Sequence, residues 1–349
     1  MEDTGGRRRV GIKEVAEAAQ VSATTVSHAL NGKGRVTSET RERIKDIADR
    51  LGYRPHQGAQ HLRRGTSGII ALVVSTADKQ LMRFAEYDYF RSLIDGAASE
   101  ALARGKWLVL IPSATEPCAL RSLELDGAIV VDPTIDDEVL AVLQESGVPT
   151  VVSGRAMGEQ SVASVDNDLG AGTAMVLDHL RQEGATRIAL VNAPPAQSYA
   201  LDAEVAYTAW VQEHDAPCLI AHATSLDEDA GYVAATRLFE SDARPDAVFA
   251  ILDRVAAGVM LAARNAGLRI PQDLLLASTT DSPRSRTMRP ALTVLDLSQE
   301  EVGRLAVEEL LSQIDGGTPP GGRRIVPVKL KVRATSTRRA AVAVRDEDS

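Results

Sequence analysis

Cysteine is nearly missing from this chain of 349 residues: only Cys118 and Cys218 occur, a hundred positions apart and outside any CxxC or Cys/His spacing. That excludes a disulfide framework and a zinc site, and both thiols are expected to be free and buried. No apolar run approaches the ~20 residues that a membrane helix needs. Arg7, Arg8 and Arg9 are not followed by an apolar stretch of the ~7 to 15 residues found in a secretory signal, so the protein is expected to stay in the cytoplasm. Several signatures of catalysis are missing as well. No GxxxxGK[ST], GxSxG or HExxH is present, and Gly170-Ala171-Gly172 lacks the third glycine of a dinucleotide fingerprint. An enzyme is therefore not expected, nor a metal or other cofactor.

Hydrophobic residues make up 44% and charged residues 25%, ordinary values for a globular protein long enough to hold two or three folding units. The charge is unevenly spread. Residues 1–65 hold 13 Lys/Arg against 8 Asp/Glu, a net of plus 5, whereas the remainder of the chain is net minus 14. A small basic module suits phosphate contacts, and a large acidic remainder repels DNA.

Within the basic part, Ile12, Val15, Ala16 and Ala19 follow the spacing of one helix face. Gln20 and Val21 make a tight connection. Ser22 is placed to cap a second helix, whose inward stripe is Val26, Ala29 and Leu30. Asn31-Gly32 ends it. A third helix is predicted from a Thr37/Ser38 cap, with Ile44, Ile47, Ala48 and Leu51 inward and Gly52 as its left-handed stop. Two helices joined by so short a turn, with a third behind them, form the arrangement in which the second helix enters the major groove. Its outward positions are Ala23, Thr24, Ser27 and His28. Ser22, Thr25, Asn31, Arg35, Thr37 and Thr40 stand at helix ends or flanks, where they either cap helices or hold phosphates.

The run from Ile12 to Asn31 resembles the headpiece of the LacI/GalR family of bacterial transcriptional regulators. Val36 to Ile44 resembles that family's third helix, and Leu51-Gly52-Tyr53-Arg54-Pro55 its exit. The resemblance implies that residues 54–67 are a hinge and linker that orders on DNA and pairs with its dimer mate. His56, Ala59, Gln60, Leu62 and Arg63 would face the minor groove, with Leu62 as the wedge. Such a wedge offsets unstacking with additional contact in a kinked duplex. The hinge segment is too polar and short to be a stable helix alone, and Gly58 weakens it further.

From Ile69 onward, apolar runs alternate with helical stretches: 69–74, 107–111, 128–131, 150–152, 187–191, 247–252 and 274–277. This is the pattern of parallel sheets covered on both faces. Together with the resemblance it implies an all-α helix-turn-helix headpiece (1–53) plus an α/β periplasmic-binding-protein-like domain (68–337) of two doubly wound parallel-sheet subdomains. Their boundaries are expected near 68–164 with 296–323, and 165–295 with 324–337. Residues 338–349 read as a disordered tail without the apolar heptad of a tetramer-forming coiled coil, so a homodimer is expected.

By the same resemblance, the partners are a double-stranded DNA operator and a small-molecule effector, of which sugar-like molecules are one class. Several charged positions usual in a sugar site are changed here. Ala203 stands for an arginine, Leu252 for the asparagine before Asp253, Thr280 for an aspartate before Asp281, and Gly154 for the aspartate before Arg155. Phe84, Tyr87, Tyr89 and Phe90 crowd into seven residues. They suit either a pocket for a less polar ligand or the packing of a helix or dimer interface. The expected effector set is Phe84, Tyr87, Arg155, Ala203, Leu252, Asp253, Thr280 and Asp281, although Arg155 and the two aspartates also fit structural roles. A ligand-independent DNA-binding protein is the alternative. A solute-binding transport protein would share the large domain but carry an export signal and no headpiece.

Overall fold

The computed structural model describes residues 10–30, 34, 36–53, 66–75, 88–112, 115–157, 162–194, 197–317 and 322–338. The chain divides into two compact units, Met1–Ser67 and Gly68–Ser349. The first contains α1 (Ile12–Ala19), α2 (Ala23–Leu30) and α3 (Ser38–Arg50). Val15, Ala16, Ala19, Val26, Ala29, Ile44 and Ala48 are its buried core, with Leu30, Ile47 and Tyr53 packed partly against it. The turn between α1 and α2 is closed by Gln20 in the left-handed region (φ 52°) and by the Val21 amide donating to the Ala16 carbonyl at 3.0 Å. Leu51, expected inward, is 39% exposed. It falls at the C-cap, where the chain leaves the helical register that would have carried it to the core.

The second unit holds two sheets, each of six strands among the described residues. The first comprises β1 (Ile69–Val74), β2 (Trp107–Ile111), β3 (Gly127–Val131), β4 (Thr150–Ser153), β5 (Ala163–Asn167) and β11 (Arg323–Val326), in the order β11-β5-β4-β3-β1-β2. The second comprises β6 (Ile188–Asn192), β7 (Ile220–His222), β8 (Ala247–Ala250), β9 (Leu275–Thr279), β10 (Thr293–Asp296) and β12 (Lys329–Lys331), in the order β12-β10-β9-β8-β6-β7. All pairings are parallel except β10 with β12. Helices cover both faces, as strands buried on both sides require. Helices α4 (Asp88–Ala103), α5 (Glu138–Glu145) and α11 (Gln299–Ile314) lie on the first sheet. Helices α6 (Leu169–Gln182), α7 (Ser198–Glu213), α8 (Glu228–Glu240) and α9 (Asp253–Asn265) pack on the second, and the short α10 (Pro283–Thr287) follows β9.

The chain crosses between the sheets after β5, after β10 and after β11, a few residues later than the expected boundaries. The reason is that β5 and β11, whose ends are polar, pair with each other at the edge of the first sheet. Two crossings are tied together: Lys331 bridges Asp296 at 2.7 Å, and the Ser298 hydroxyl donates to the Pro327 carbonyl at 3.4 Å. Both cysteines are exposed, contrary to expectation. Cys118 lies in a short 3₁₀ turn and Cys218 just before the edge strand β7, positions that no sheet or helix covers.

Candidate DNA-reading face and effector cleft

In the headpiece, burial of Val26 and Ala29 turns the opposite side of α2 outward, and Thr24 and His28 are exposed there. Ser27 is half-buried. Ala23, expected outward with them, is half-buried against the headpiece core because it begins the helix beside α1. The imidazole of His28 stands against Gly34, where a Cβ would come within 2.6 Å of Nδ1. Hydroxyl pairs mark two helix starts. Ser22 Oγ accepts the Thr25 amide at 3.0 Å and lies 2.8 Å from Thr25 Oγ1. Thr37 Oγ1 accepts the Thr40 amide at 3.3 Å and donates to Thr40 Oγ1 at 2.8 Å. These four side chains thus cap helices, and their remaining hydrogen-bonding capacity faces solvent where amide donors and helix dipoles favour anions. Asn31, Arg35, His56, Ala59, Gln60, Leu62 and Arg63 lie outside the described residues.

A narrow cleft with a cavity of about 50 Å³ lies between the two sheets at their strand ends, the usual place for a ligand in open α/β sheets. Its walls differ. The first subdomain contributes Asp132 after β3, Asp166 and Asn167 at the end of β5, and Tyr89 and Phe90 in the first turn of α4. The second contributes mainly apolar groups: Leu169, Leu226, Ile251, Leu252 and Leu297, with Ser198, Tyr199 and Thr279 between them. The Tyr89 and Phe90 rings meet edge to face at 5.1 Å. Tyr89 packs against both subdomain cores and so stands at their seam.

Asp132 is the unusual group. It is only 6% exposed, its backbone is left-handed (φ 49°), and its carboxylate has no hydrogen-bond donor among the described residues. Burial, with the nearby Asp166 charge adding to it, pushes its carboxyl up to about 8. Gly154 explains how it fits: φ there is +97°, and a Cβ would come within 2.8 Å of Asp132 Oδ1. The side chain missing at position 154 is therefore the space that the Asp132 carboxylate occupies. Burial raises Asp166 as well, opposed by Arg323, whose guanidinium donates to it at 2.8 and 3.1 Å. Tyr89 is held well above its ordinary value by burial and by Asp132 and Asp166.

Contacts across the cleft hold the subdomains together. Arg155 pairs with Asp202 at 2.5 Å, its amide donates to Ser198 Oγ at 3.3 Å, and Thr134 and Gln197 form an antiparallel bridge.

Of the expected effector residues, Leu252 lines the cleft, and Arg155 stands at its edge as an interdomain ion pair. Ala203, Asp253, Thr280 and Asp281 do not line it. Ala203 is fully buried in the second core because the register of α7 turns it onto the sheet. Asp253 accepts a hydrogen bond from the Ser282 hydroxyl at 2.5 Å. Thr280 is buried after β9, with its amide on the Leu295 carbonyl. Asp281 is the hub of an ion cluster with Arg286, Lys331 and Arg333, which hold its carboxyl below the usual range although burial works the other way. Phe84 and Tyr87 lie outside the described residues. Their neighbours Tyr89 and Phe90 carry the pocket reading of the aromatic run. Sequence reasoning missed Asp132, Asn167, Ser198 and Tyr199. The signal for Asp166 and Asn167 was a polar pair closing a strand.

Residues 11–56 match the family model for bacterial regulatory proteins of the lacI family, and residues 177–336 match a periplasmic binding protein-like domain. The chain is 30% identical over 289 residues to the HTH-type transcriptional regulator AglR of Rhizobium meliloti, covering 78% of each protein. It belongs to the lacI family. As a member it is a DNA-binding transcriptional regulator and not an enzyme. The solved complex of the transcriptional regulator CelR with cellobiose is 26% identical, covers 94% of this chain and 100% of that one, and superposes with a TM-score of 0.71. A lac repressor dimer bound to operator and the anti-inducer ONPF shares the fold, with a TM-score of 0.81 at 22% identity, covering 95% of this chain and 100% of that one. No described helix is long and apolar enough to cross a membrane.

Proposed function

We propose that the protein is a repressor that binds a pseudo-palindromic operator as a homodimer and is modulated by a small molecule held in the interdomain cleft. Each headpiece presents Thr24, Ser27 and His28 to base edges in one major-groove half-site, with Ala23 against a thymine methyl or the sugar edge. Ser22, Thr25, Asn31, Arg35, Thr37 and Thr40 take phosphates and fix the register. The paired hinges enter the minor groove through His56, Ala59, Gln60, Leu62 and Arg63, and Leu62 opens the central base step. The observation that carries this reading is the headpiece itself, in which a core of Val26 and Ala29 turns Thr24 and His28 to solvent.

Support for the dimer comes from β2. It is the edge strand of the first sheet, yet Trp107, Val109 and Leu110 on it are 56%, 41% and 42% exposed, and Leu102 beside it is 65% exposed. An uncovered apolar edge favours pairing with a second copy. The structural neighbour that shares the fold is also a dimer on its operator. Effector control is supported by the cleft, by the contacts that bridge it, and by the cellobiose bound to a relative. Ligand closure would change the spacing of the two hinges and so couple effector affinity to operator affinity. The DNA partner implies a cytoplasmic protein.

The test is selection of bound sequences from random duplexes by the full-length protein, repeated with metabolite pools. A two-fold-symmetric consensus whose occupancy changes with a pool is expected. A protein with no preference over bulk competitor at moderate salt is not the regulator described here.

A further inference from the structure

We propose that the cleft takes an organic monocation, an ammonium or amidinium group on an apolar or aromatic body, whose charge sits on Asp132. The proposal rests on the effector reading above and narrows it to a ligand class. The first argument is charge matching. Asp132, Asp166 and Asp202 stand around the polar end, with Arg323 on Asp166 at 2.8 Å, 4.0 Å from Asp202, and Arg155 on Asp202 at 2.5 Å. Two guanidiniums thus meet two of the three carboxylates. The third acid, Asp132, is more than nine-tenths buried, lines the cleft, has no donor among the described residues, and keeps its proton in the free protein until a cation displaces it. No Lys, Arg or His is among the described residues lining the cleft, so an anion would find no partner there.

The second argument is the asymmetry of the walls. A polyol carries hydroxyls around its whole body, and the second subdomain would bury some of them against Leu226, Ile251, Leu252 and Leu297 without partners. An amphiphilic cation places its charge on Asp132 and its body on that wall. Tyr89, Phe90 and Tyr199 supply aromatic rings whose faces attract a cation.

The experiment compares near-isosteric probes on the full-length protein by calorimetry: 2-phenylethylamine, 2-phenylethanol and 3-phenylpropionate, with cellobiose as the neutral sugar. At pH 8.5, where Asp132 is ionised, the amine is expected to bind at least ~10-fold more tightly than the alcohol, with no saturable binding of the acid. Asp132→Asn, checked for an unchanged melting transition at pH 6, is expected to abolish the amine's advantage. A second readout is proton release. The titratable groups that act on Asp132 are Tyr89 on α4 and Asp166 on β5, the latter bound by Arg323. Asp132 holds its proton up to about pH 8, so amine affinity should climb roughly tenfold per unit as pH is raised toward that value and level off above it, while the alcohol's stays flat. Strongest binding by the acid or by cellobiose overturns the proposal. So does an amine preference that survives Asp132→Asn, or a series in which nothing binds. Operator affinity with metabolite pools is measured in parallel. A pool that shifts it while the amine fails overturns the ligand class alone, and no shift with any pool overturns the effector reading as well.

Discussion

Asp132 and Gly154 form a pair in which one residue's missing side chain makes room for the other's charge. The thermodynamic cost falls on the free protein. In the unfolded chain an aspartate loses its proton near pH 4, whereas the buried Asp132 keeps it to about 8. Between those values the folded state holds the extra proton, so stability is greatest at the acid end of the window and falls as pH rises through 8. Urea unfolding at pH 6 and pH 9 spans two of those pH units and should show a loss bounded above by about 3 kcal/mol. Asp132→Asn should remove most of the difference. At the DNA-reading face, His28→Ala should relax base preference at one half-site position by about 1 to 3 kcal/mol with little change in nonspecific affinity. Unchanged preference at every operator position would discount His28 as a reader.

At the scale of elements, the regular parts were legible and the edges were not. The buried strands β1, β3, β4, β6, β8 and β9 fall where apolar runs were read, because strands covered on both faces are apolar throughout. β5, β7, β10, β11 and β12 were missed because they end in aspartate, asparagine or histidine, or carry Arg and Lys at a sheet edge, and only their pairing defines them. The effector cleft was read least well for a related reason. Its polar groups close strands whose interiors look like any other, and the identity of a buried acid depends on a second sheet folding over it. A further element-scale feature is the crossing of α4 and α11. There Gly96 faces Glu300 and Gly303 faces Leu93, and a Cβ on Gly303 would lie 2.0 Å from the Leu93 carbonyl oxygen. Gly303→Ala should force the helices apart and cost about 2 to 3 kcal/mol, seen as a lower denaturant midpoint with an unchanged slope. In the headpiece, Thr37→Ala should cost about 1 kcal/mol by removing the cap of α3.

For the whole molecule, the proposed dimer places the exposed edge of β2 at the centre of function, since two half-sites are read together only if two headpieces are held together. Trp107→Glu combined with Leu102→Glu should convert dimer to monomer in sedimentation at micromolar concentration. Specific operator affinity should then fall by ~100-fold or more while each headpiece keeps its fold. A double variant that remains dimeric would move the interface elsewhere.

The three passages between the sheets carry one more consequence, for synthesis. The first subdomain begins near residue 68, yet α11 and β11, which complete its core and its edge, come from residues 299–314 and 323–326. During translation that subdomain therefore waits for almost the entire second one to emerge before it can close. The headpiece, whose contacts are local, needs no such wait. A nascent chain halted near residue 290 would bear a finished DNA-reading module on an unfinished body, its apolar first sheet open to chaperones.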